Sequence, residues 1–231
     1  MNISRKLAEG VAGWLFYEFH SRRYELFSEK YLTAPIGNIL HGQFDRKVIA
    51  EYNHPILTAA KKTPGRPPQL DFVIVDKGLI TVAVESKWIG QTSVSVADII
   101  WDMIRLELIS NQTGAKCYFI LGGQKKKLNS LFEHARFLEK TPDGRTRPVL
   151  RLLKGVKKAS LRLGSPIESR GEIIKPRMQQ YSNVYMPSVV GSNYPEYYPK
   201  ECRNADFQVY VWEILSLKNN RFKPVNNKHY K

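Results

Sequence analysis

The chain has 231 residues, of which 42% are hydrophobic, and this is enough for one large domain or for a core with an appended region. Its two cysteines, Cys117 and Cys202, have no paired spacing, which excludes a disulfide scaffold and a cysteine zinc site. No apolar run approaches the length of a membrane span, so we expect no membrane contact and predict an intracellular, cytoplasmic protein.

The net charge of +15 is unevenly distributed along the chain. Residues 1 to 123 contain 14 basic and 12 acidic residues, whereas residues 124 to 231 contain 22 and 9. This excess in the second half favours a polyanionic partner, because each lysine or arginine that neutralises a phosphate releases a counterion. A solubilising surface, or a patch that meets an acidic partner protein, stays open as an explanation.

The first 30 residues have the periodicity of an amphipathic helix. Leu7, Val11, Trp14 and Glu18 lie on one stripe of it. Glu18 therefore shares the buried stripe, where it either reaches a functional site or pairs with Arg22 one turn later. We favour the pairing.

A break is predicted at Pro35-Ile-Gly37, and the run 46–52 predicts the first strand, whose only acid is Glu51. The segment 61–68 is a loop by composition. It contains three basic residues, Lys61, Lys62 and Arg66. They either touch substrate phosphates or belong to an ordinary solvated turn.

Two apolar runs, 69–76 and 80–88, predict the arms of a β-hairpin that turns at Lys77-Gly78. They carry Asp71, Glu85 and Lys87. Alternation along the strand places Glu85 and Lys87 on one face, about 7 Å apart. Asp71 joins them if the connection or a bulge gives an even pairing register.

Three charged groups that converge in this way indicate metal-dependent phosphodiester chemistry. Two carboxylates hold a hard cation such as Mg²⁺, which polarises a phosphate and lowers the pKa of a bound water. The ammonium group of Lys87 can orient that water or stabilise charge on the phosphoryl oxygens. Without such a role, Glu85 in so apolar a run is energetically expensive.

The next two elements are a helix and a strand. Residues 94–110 predict a helix that is apolar almost all round, with a narrow polar stripe of Asp98, Asp102 and Arg105. Gly114 ends it, and residues 115–121 predict a strand. The order helix, strand, hairpin, helix and strand follows from periodicity alone.

The second half is less regular. Lys125, Lys126 and Lys127 predict a basic loop that enters an amphipathic helix over 128–140. Residues 149–163, which include Lys157 and Lys158, fit either a strand or a helix. Residues 181–199 predict an ordered loop rich in tyrosine, and residues 206–215 a late strand.

The spacing of Asp71, thirteen intervening residues and then Glu85-Ser86-Lys87 resembles the PD-(D/E)xK nuclease superfamily, whose members share the restriction-endonuclease-like fold. The proline of the motif is displaced to Pro68. The resemblance covers roughly residues 1 to 123.

The resemblance implies that Asp71 and Glu85 bind the metal, that the carbonyl oxygen of Ser86 is a further ligand, and that Lys87 is the catalytic lysine. It also implies that an accessory acid, Glu18 or Glu51, can complete the metal site. Restriction, repair and phage defence are the settings it suggests.

We therefore expect an α/β protein with a restriction-endonuclease-like αβββαβ core over residues 1 to 123, built on a central mixed sheet. A basic C-terminal extension over residues 124 to 231 is expected to pack on it. The expected activity is Mg²⁺-dependent hydrolysis of DNA phosphodiester bonds, with Mn²⁺ able to substitute. A homodimer is plausible, because one site cuts one strand at a time. The basic residues expected to contact nucleic acid are Lys61, Lys62, Arg66, Lys125, Lys126, Lys127, Lys157 and Lys158.

Two other interpretations stay open. Lys87 and an acid can form a simple cross-strand ion pair on a surface hairpin. Alternatively, the fold is that of a nuclease but the protein is a non-catalytic module that binds nucleic acid or recruits a partner protein.

Overall fold

The computed structural model describes residues 2–61, 65–90, 95–140, 144, 146–150, 158–163, 168–217 and 220–231. Its helices are α1 (Ile3–His20), α2 (Glu29–Gln43), α3 (Pro55–Ala60), α4 (Val96–Thr113), α5 (Lys125–Phe132) and α6 (Glu168–Gln180). Its strands are β1 (Lys47–Asn53), β2 (Gln69–Asp76), β3 (Leu79–Ile89), β4 (Lys116–Gln124), β5 (Leu138–Lys140), β6 (Thr146–Pro148), β7 (Lys158–Arg162), β8 (Met186–Pro187), β9 (Val189–Asn193), β10 (Glu196–Tyr198), β11 (Phe207–Leu215) and β12 (Arg221–Phe222).

Within the described residues, eight strands form one mixed sheet in the order β1-β2-β3-β4-β11-β9-β7, and β10 also pairs with β11. Strands β3 and β4 are parallel, and α4 makes the crossover between them. The neighbouring pairs β1–β2, β2–β3 and β4–β11 are antiparallel. The predicted α/β class with a central mixed sheet is therefore confirmed. Strands from beyond residue 124 extend the sheet that the hairpin begins.

Helices cover both faces of this sheet. On one face, α1 and α2 bury an apolar cluster that includes Leu15, Ile36 and Phe72. On the other face, α4 buries a second cluster that includes Ile104 and Trp212. Covering on both faces explains why the strands of the hairpin are apolar on both sides.

The ends of α4 follow the local sequence. The Ser95 hydroxyl accepts a hydrogen bond from the Ala97 amide and caps the first turn. At the other end, Gly114 has φ +72°, a left-handed conformation that glycine adopts without strain, and the helix stops there as predicted. The crossover helix is thus fixed in length, and with it the position of the polar stripe.

Several local predictions are wrong. The chain does not break at Pro35-Ile-Gly37, because Pro35 lies buried inside α2, where packing outweighs the lost hydrogen bond. The lysines at 125–127 form the first turn of α5 instead of a loop. The tyrosine-rich stretch 181–199 contains strands β8, β9 and β10.

None of the described helices combines the length and the apolar character needed to cross a membrane.

A close approach of β3 and β4 gives a stability prediction. A Cβ atom on Gly123 would lie 2.7 Å from the Ile89 carbonyl oxygen, which is a main-chain atom that cannot move alone. We expect Gly123→Ala to lower the free energy of unfolding by about 2 kcal/mol, since overpacking a close contact typically costs this much. Urea denaturation of the full chain measures it.

The matched control is Gly13→Ala in α1, where nothing lies within 4 Å of the added carbon. It should leave stability unchanged or raise it by up to about 1 kcal/mol, because alanine favours the helix. Equal effects of the two substitutions would contradict the packing of β3 against β4.

Candidate active site

A β-bulge in the hairpin sets the relative position of the two acidic residues. Between Ile74 and Val75 the register of β2 against β3 shifts by one residue, which leaves Thr81 without a pairing partner in the ladder. The Thr81 hydroxyl donates a hydrogen bond to the Ile74 carbonyl across the shift. At the end of the ladder away from the turn, the last pair is Phe72 with Val84, and Asp71 and Glu85 are the next residues of their strands. The even register that the cluster required is therefore present.

Asp71 is tied to the strand that carries the other two residues. One of its carboxylate oxygens, Oδ2, accepts hydrogen bonds from the Ser86 amide at 2.7 Å and from the Ser86 hydroxyl at 2.8 Å. Because Ser86 stands between Glu85 and Lys87, these bonds hold all three predicted catalytic residues at one point of the sheet.

Glu85 is an almost fully buried carboxylate, with 1% of its surface exposed. Burial raises its pKa well above the usual value, and the nearby charges of Asp102 and Asp71 raise it further. The guanidinium group of Arg105, in contact with Oε1, opposes this shift. The site thus places a desolvated carboxylate among other carboxylates.

Lys87 lies between two carboxylates from different helices. Its Nζ donates a hydrogen bond to Glu29 Oε1 at 2.8 Å and lies 3.0 Å from Asp102 Oδ2. The Ser86 carbonyl also accepts from it at 3.3 Å. Burial alone would lower the pKa of Lys87, but Asp102 and Glu29 raise it above its ordinary value. Lys87 is therefore a fixed cation and not a proton acceptor.

Two site residues come from α4 and were not identified by sequence reasoning. Arg105 contacts Glu85 and the Gln69 carbonyl through Nη2, and its Nη1 lies 3.0 Å from Asp102 Oδ1. Burial raises the pKa of Asp102, whereas the charges of Arg105 and Lys87 lower it. The available signal was the polar stripe on an otherwise apolar helix, which was interpreted only as a helix face.

Glu29, in the first turn of α2, was also missed. Its carboxylate is half-exposed, and burial raises its pKa more than Lys87 lowers it. Glu29 and Lys87 are far apart in sequence, so no local spacing relates them. A predicted break inside α2 further concealed that a helix begins at this residue.

The two predicted accessory acids have other partners. Glu18 is buried, accepts a hydrogen bond from the Tyr31 hydroxyl and pairs with Arg23 at 3.3 Å, so the predicted pairing with Arg22 is wrong. Glu51 is exposed and pairs with Arg66 at 2.9 Å. Neither carboxylate contacts Asp71, Glu85 or Lys87 in the described structure.

Several of the predicted nucleic-acid contacts are engaged within the protein. The ammonium groups of Lys61, Lys125 and Lys127 donate to the carbonyls of Arg66, Cys202 and Gly90. Lys126 is exposed on α5. Lys62 and Lys157 lie outside the described residues, and only the main chain of Lys158 is described. Their proposed contacts with nucleic acid stay predictions.

The donor atoms at the site fit a hard divalent cation in kind and in charge. Four carboxyl groups, those of Asp71, Glu85, Asp102 and Glu29, lie beside only two basic side chains, Lys87 and Arg105. Glu85 Oε1 and Asp102 Oδ2 are buried and accept no well-formed hydrogen bond among the described residues. Oxygen ligands and an excess of acidic over basic groups suit Mg²⁺.

The arrangement of these atoms is not that of a completed metal site. In the described part of the chain, no group of three or more His, Cys, Asp or Glu side chains is placed to hold a metal ion. The Arg105 guanidinium neutralises Glu85 in the arrangement that the structure shows. The groups that would hold a cation are the carboxylates of Asp71 and Glu85 and the carbonyl oxygen of Ser86.

A cavity of about 540 Å³ opens beside the cluster. Its lining includes Glu29, Lys87, Asp102 and Arg105 of the cluster, together with Arg177 of α6 and Tyr181, the residue after this helix. This volume is in the range of small-ligand sites. The charged cluster is thus accessible from solvent on the side of α4 and α6.

Comparisons with models of protein families, with curated proteins and with solved structures found no match. The function is therefore inferred from the side chains of the site.

A buried histidine anchors the helix that supplies Arg105. His54 Nδ1 accepts a hydrogen bond from the Leu57 amide, and Nε2 lies 3.1 Å from the Arg105 carbonyl, which requires Nε2 to carry the proton. Burial lowers the pKa of His54 from 6.5 to about 4. The ring is therefore neutral, and protonation at Nδ1 would remove the cap of α3.

This histidine predicts an acid sensitivity. Because the folded-state pKa lies below the unfolded one, the unfolded chain binds the additional proton first, and stability falls as pH drops from about 6.5 to about 4. A shift of this size corresponds to about 3 kcal/mol. Urea denaturation across this window should show a smaller loss for His54→Asn than for the native chain. Parallel curves for the two proteins would refute a buried neutral His54.

Proposed function

We propose that the protein is a metal-dependent endonuclease that hydrolyses DNA phosphodiester bonds, built on a restriction-endonuclease-like core. The observation that carries the proposal is the convergence of Asp71, Glu85 and Lys87 at one point of the sheet, with Lys87 held as a cation. Two carboxylates next to a protonated lysine suit the hydrolysis of phosphate esters better than other reactions.

The topology around the hairpin supports this proposal. Helix α1, strands β1 to β3, helix α4 and strand β4 follow one another in the αβββαβ order, with α2 and α3 as additional helices. The parallel pairing of β3 with β4 places α4 directly over the strand that carries Glu85 and Lys87. Site residues on β3 and α4 are thus side by side.

The residues of the chain have distinct roles in the proposed reaction. Asp71, Glu85 and the Ser86 carbonyl would bind Mg²⁺. When bound, this ion polarises the phosphate and lowers the pKa of a bound water. Lys87 is protonated, so it donates hydrogen bonds that orient the water or stabilise negative charge on the phosphoryl oxygens. Asp102 and Glu29 hold its ammonium group in place.

The ion pair between Arg105 and Glu85 favours a second candidate function. A guanidinium group on Glu85 neutralises the carboxylate that would hold the metal. A non-catalytic protein that binds nucleic acid on the same fold would keep this pair and use its basic surface. Metal dependence separates the two candidates.

The first prediction from the proposal concerns cleavage. With Mg²⁺ or Mn²⁺ the full chain should nick supercoiled plasmid DNA, and EDTA should abolish nicking. Asp71→Asn, Glu85→Gln and Lys87→Met should each reduce the rate at least about 100-fold, as the loss of a group that stabilises the transition state does. A gel assay of nicked and linear products measures the rates.

The matched control is Asp76→Asn, at the turn end of β2, where the acid pairs with Arg46. This variant should cleave at the native rate. Native-rate cleavage by all three site variants would exclude these residues as catalytic. Absent cleavage with DNA binding retained would favour the non-catalytic function.

The second prediction concerns the basic helix. Helix α5 lies at the end of the sheet that holds the site, because Lys127 donates to the carbonyl of Gly90, three residues after Lys87. Lys126 is the exposed lysine of its first turn. We expect Lys126→Gln to reduce the slope of log affinity against log salt by about 1, as the loss of one phosphate contact does.

The control for this measurement is Lys77→Gln at the hairpin turn, about 20 Å along the strand from Asp71. Its salt slope should equal that of the native chain, measured with a labelled duplex in EDTA. An unchanged slope for Lys126→Gln would remove α5 from the proposed DNA-binding surface.

A further inference from the structure

Exposed aromatic side chains are concentrated at the end of α1 and in the turn that follows it. Ten large hydrophobic side chains are exposed in the described part of the chain, and half of them lie between residues 16 and 26. Phe16 and Tyr17 are the most exposed of these, at 67% and 65%, and Phe19 and Tyr24 are next to them. A concentration of this kind marks an interaction surface.

Several of these rings are in contact with one another or with β11. Phe19 contacts Tyr24, and it also contacts Phe207 of β11, with ring centroids 5.6 Å apart in both pairs. A groove of about 540 Å³ lies beside them, and its lining includes Phe16, Phe19, Phe207, Tyr198 and Arg203. We call this feature the aromatic groove.

Ring contacts connect the aromatic groove to the strand that carries the candidate active site, through Trp88, which is buried on the face of the sheet covered by α1 and α2. Phe207 contacts Trp88 at 5.5 Å between centroids, and Trp88 is the residue after Lys87. Phe27 contacts both Trp88 and Phe207, and it lies two residues before Glu29, the partner of Lys87. Two ring contacts therefore connect the exposed Phe19 to the strand that carries the catalytic lysine.

Two arginines flank the rings. Arg22 and Arg203 are exposed, and neither guanidinium group has a partner among the described residues. Arg22 has φ +60°, a left-handed conformation that is rare for arginine, in the turn between Phe19 and Tyr24.

Acidic residues also lie on this surface. The carboxylates of Glu25, Glu201 and Asp206 offset much of the basic charge. Electrostatic attraction alone therefore does not select a polyanion here, and the rings must supply most of the affinity.

We propose that the aromatic groove binds an unpaired strand of nucleic acid and directs it to Lys87. Unpaired bases present flat faces that stack on aromatic side chains, whereas the bases of a duplex are stacked on one another and are not accessible. The unengaged arginines suit the phosphates between stacked bases. The second step, delivery to Lys87, rests on the proposed function. Its substrate is then DNA with a single-stranded segment next to the cleaved bond.

The test uses the full chain in EDTA, so that binding is measured without cleavage. The probes are a fluorescent oligothymidylate of about 16 nucleotides and a duplex of equal length. The groove variant carries Phe16→Ser and Tyr24→Ser, two exposed positions whose change leaves the core intact. Fluorescence anisotropy should show binding of the single strand weakened at least about 10-fold, with duplex binding changed less than about twofold.

The control variant carries Leu79→Ser and Tyr185→Ser, which are exposed to a similar extent, at 68% and 59%, and lie outside the groove. It should bind both probes as the native chain does. Equal weakening for single strand and duplex, or no weakening in the groove variant, would overturn the proposal. A native dimer that dissociates in the groove variant, seen by sedimentation velocity, would assign the groove to a second copy of the chain instead.

The proposed nuclease activity can fail separately. A protein that cleaves nothing with Mg²⁺, but loses single-strand binding in the groove variant, keeps the groove assignment and loses the nuclease assignment. A protein that cleaves single-stranded DNA equally well with and without the groove substitutions keeps the nuclease assignment and loses the groove.

Discussion

Five charged side chains form a continuous series of ion pairs at the end of β3, from Glu29 through Lys87, Asp102 and Arg105 to Glu85. The series joins the hairpin to α2 on one face of the sheet and to α4 on the other. Most of its members are buried, and desolvation makes buried ion pairs a poor source of stability, whereas removing a single partner is strongly destabilising. A cluster of this kind is better explained by chemistry than by folding. These ion pairs connect the carboxylates at the end of β3 to α2 and α4, beside a cavity that is open to solvent.

The two surfaces that we propose to be functional approach this point from different sides. On the side of α4 and α6, the cavity beside Lys87 would give a phosphate access to the charged cluster. On the side of α1 and β11, aromatic contacts extend from Trp88 to the exposed rings of the aromatic groove. Strand β11 contributes to this path because its antiparallel pairing with β4 brings Phe207 next to Gln124 and close to the end of β3.

The sequence predicts those parts of the structure that depend on local patterns. The structure contains the predicted hairpin with its turn at Lys77-Gly78, the crossover helix ended by Gly114 and the late strand. These elements were predictable because the pattern of apolar residues reflects which positions of a strand or helix are buried. The proximity of Asp71 to Glu85 was predicted only on the condition that the connecting loop or a bulge gave an even pairing register, and nothing local identifies Thr81 as the extra residue. Glu29, Asp102 and Arg105 were missed as site residues because their partners are distant in sequence. Pro35 was misjudged because tertiary packing overrides its helix-breaking tendency.

The central claim is that Asp71 and Glu85 bind a divalent cation next to a cationic lysine. Anomalous scattering from crystals of the full chain soaked with Mn²⁺ tests it most directly. We predict one peak at bonding distance, about 2.2 Å, from carboxylate oxygens of both Asp71 and Glu85. The Arg105 guanidinium should then have moved from Oε1 of Glu85. An absent peak at this position, with Arg105 still paired to Glu85, would contradict the account and leave a protein whose charged cluster binds no metal.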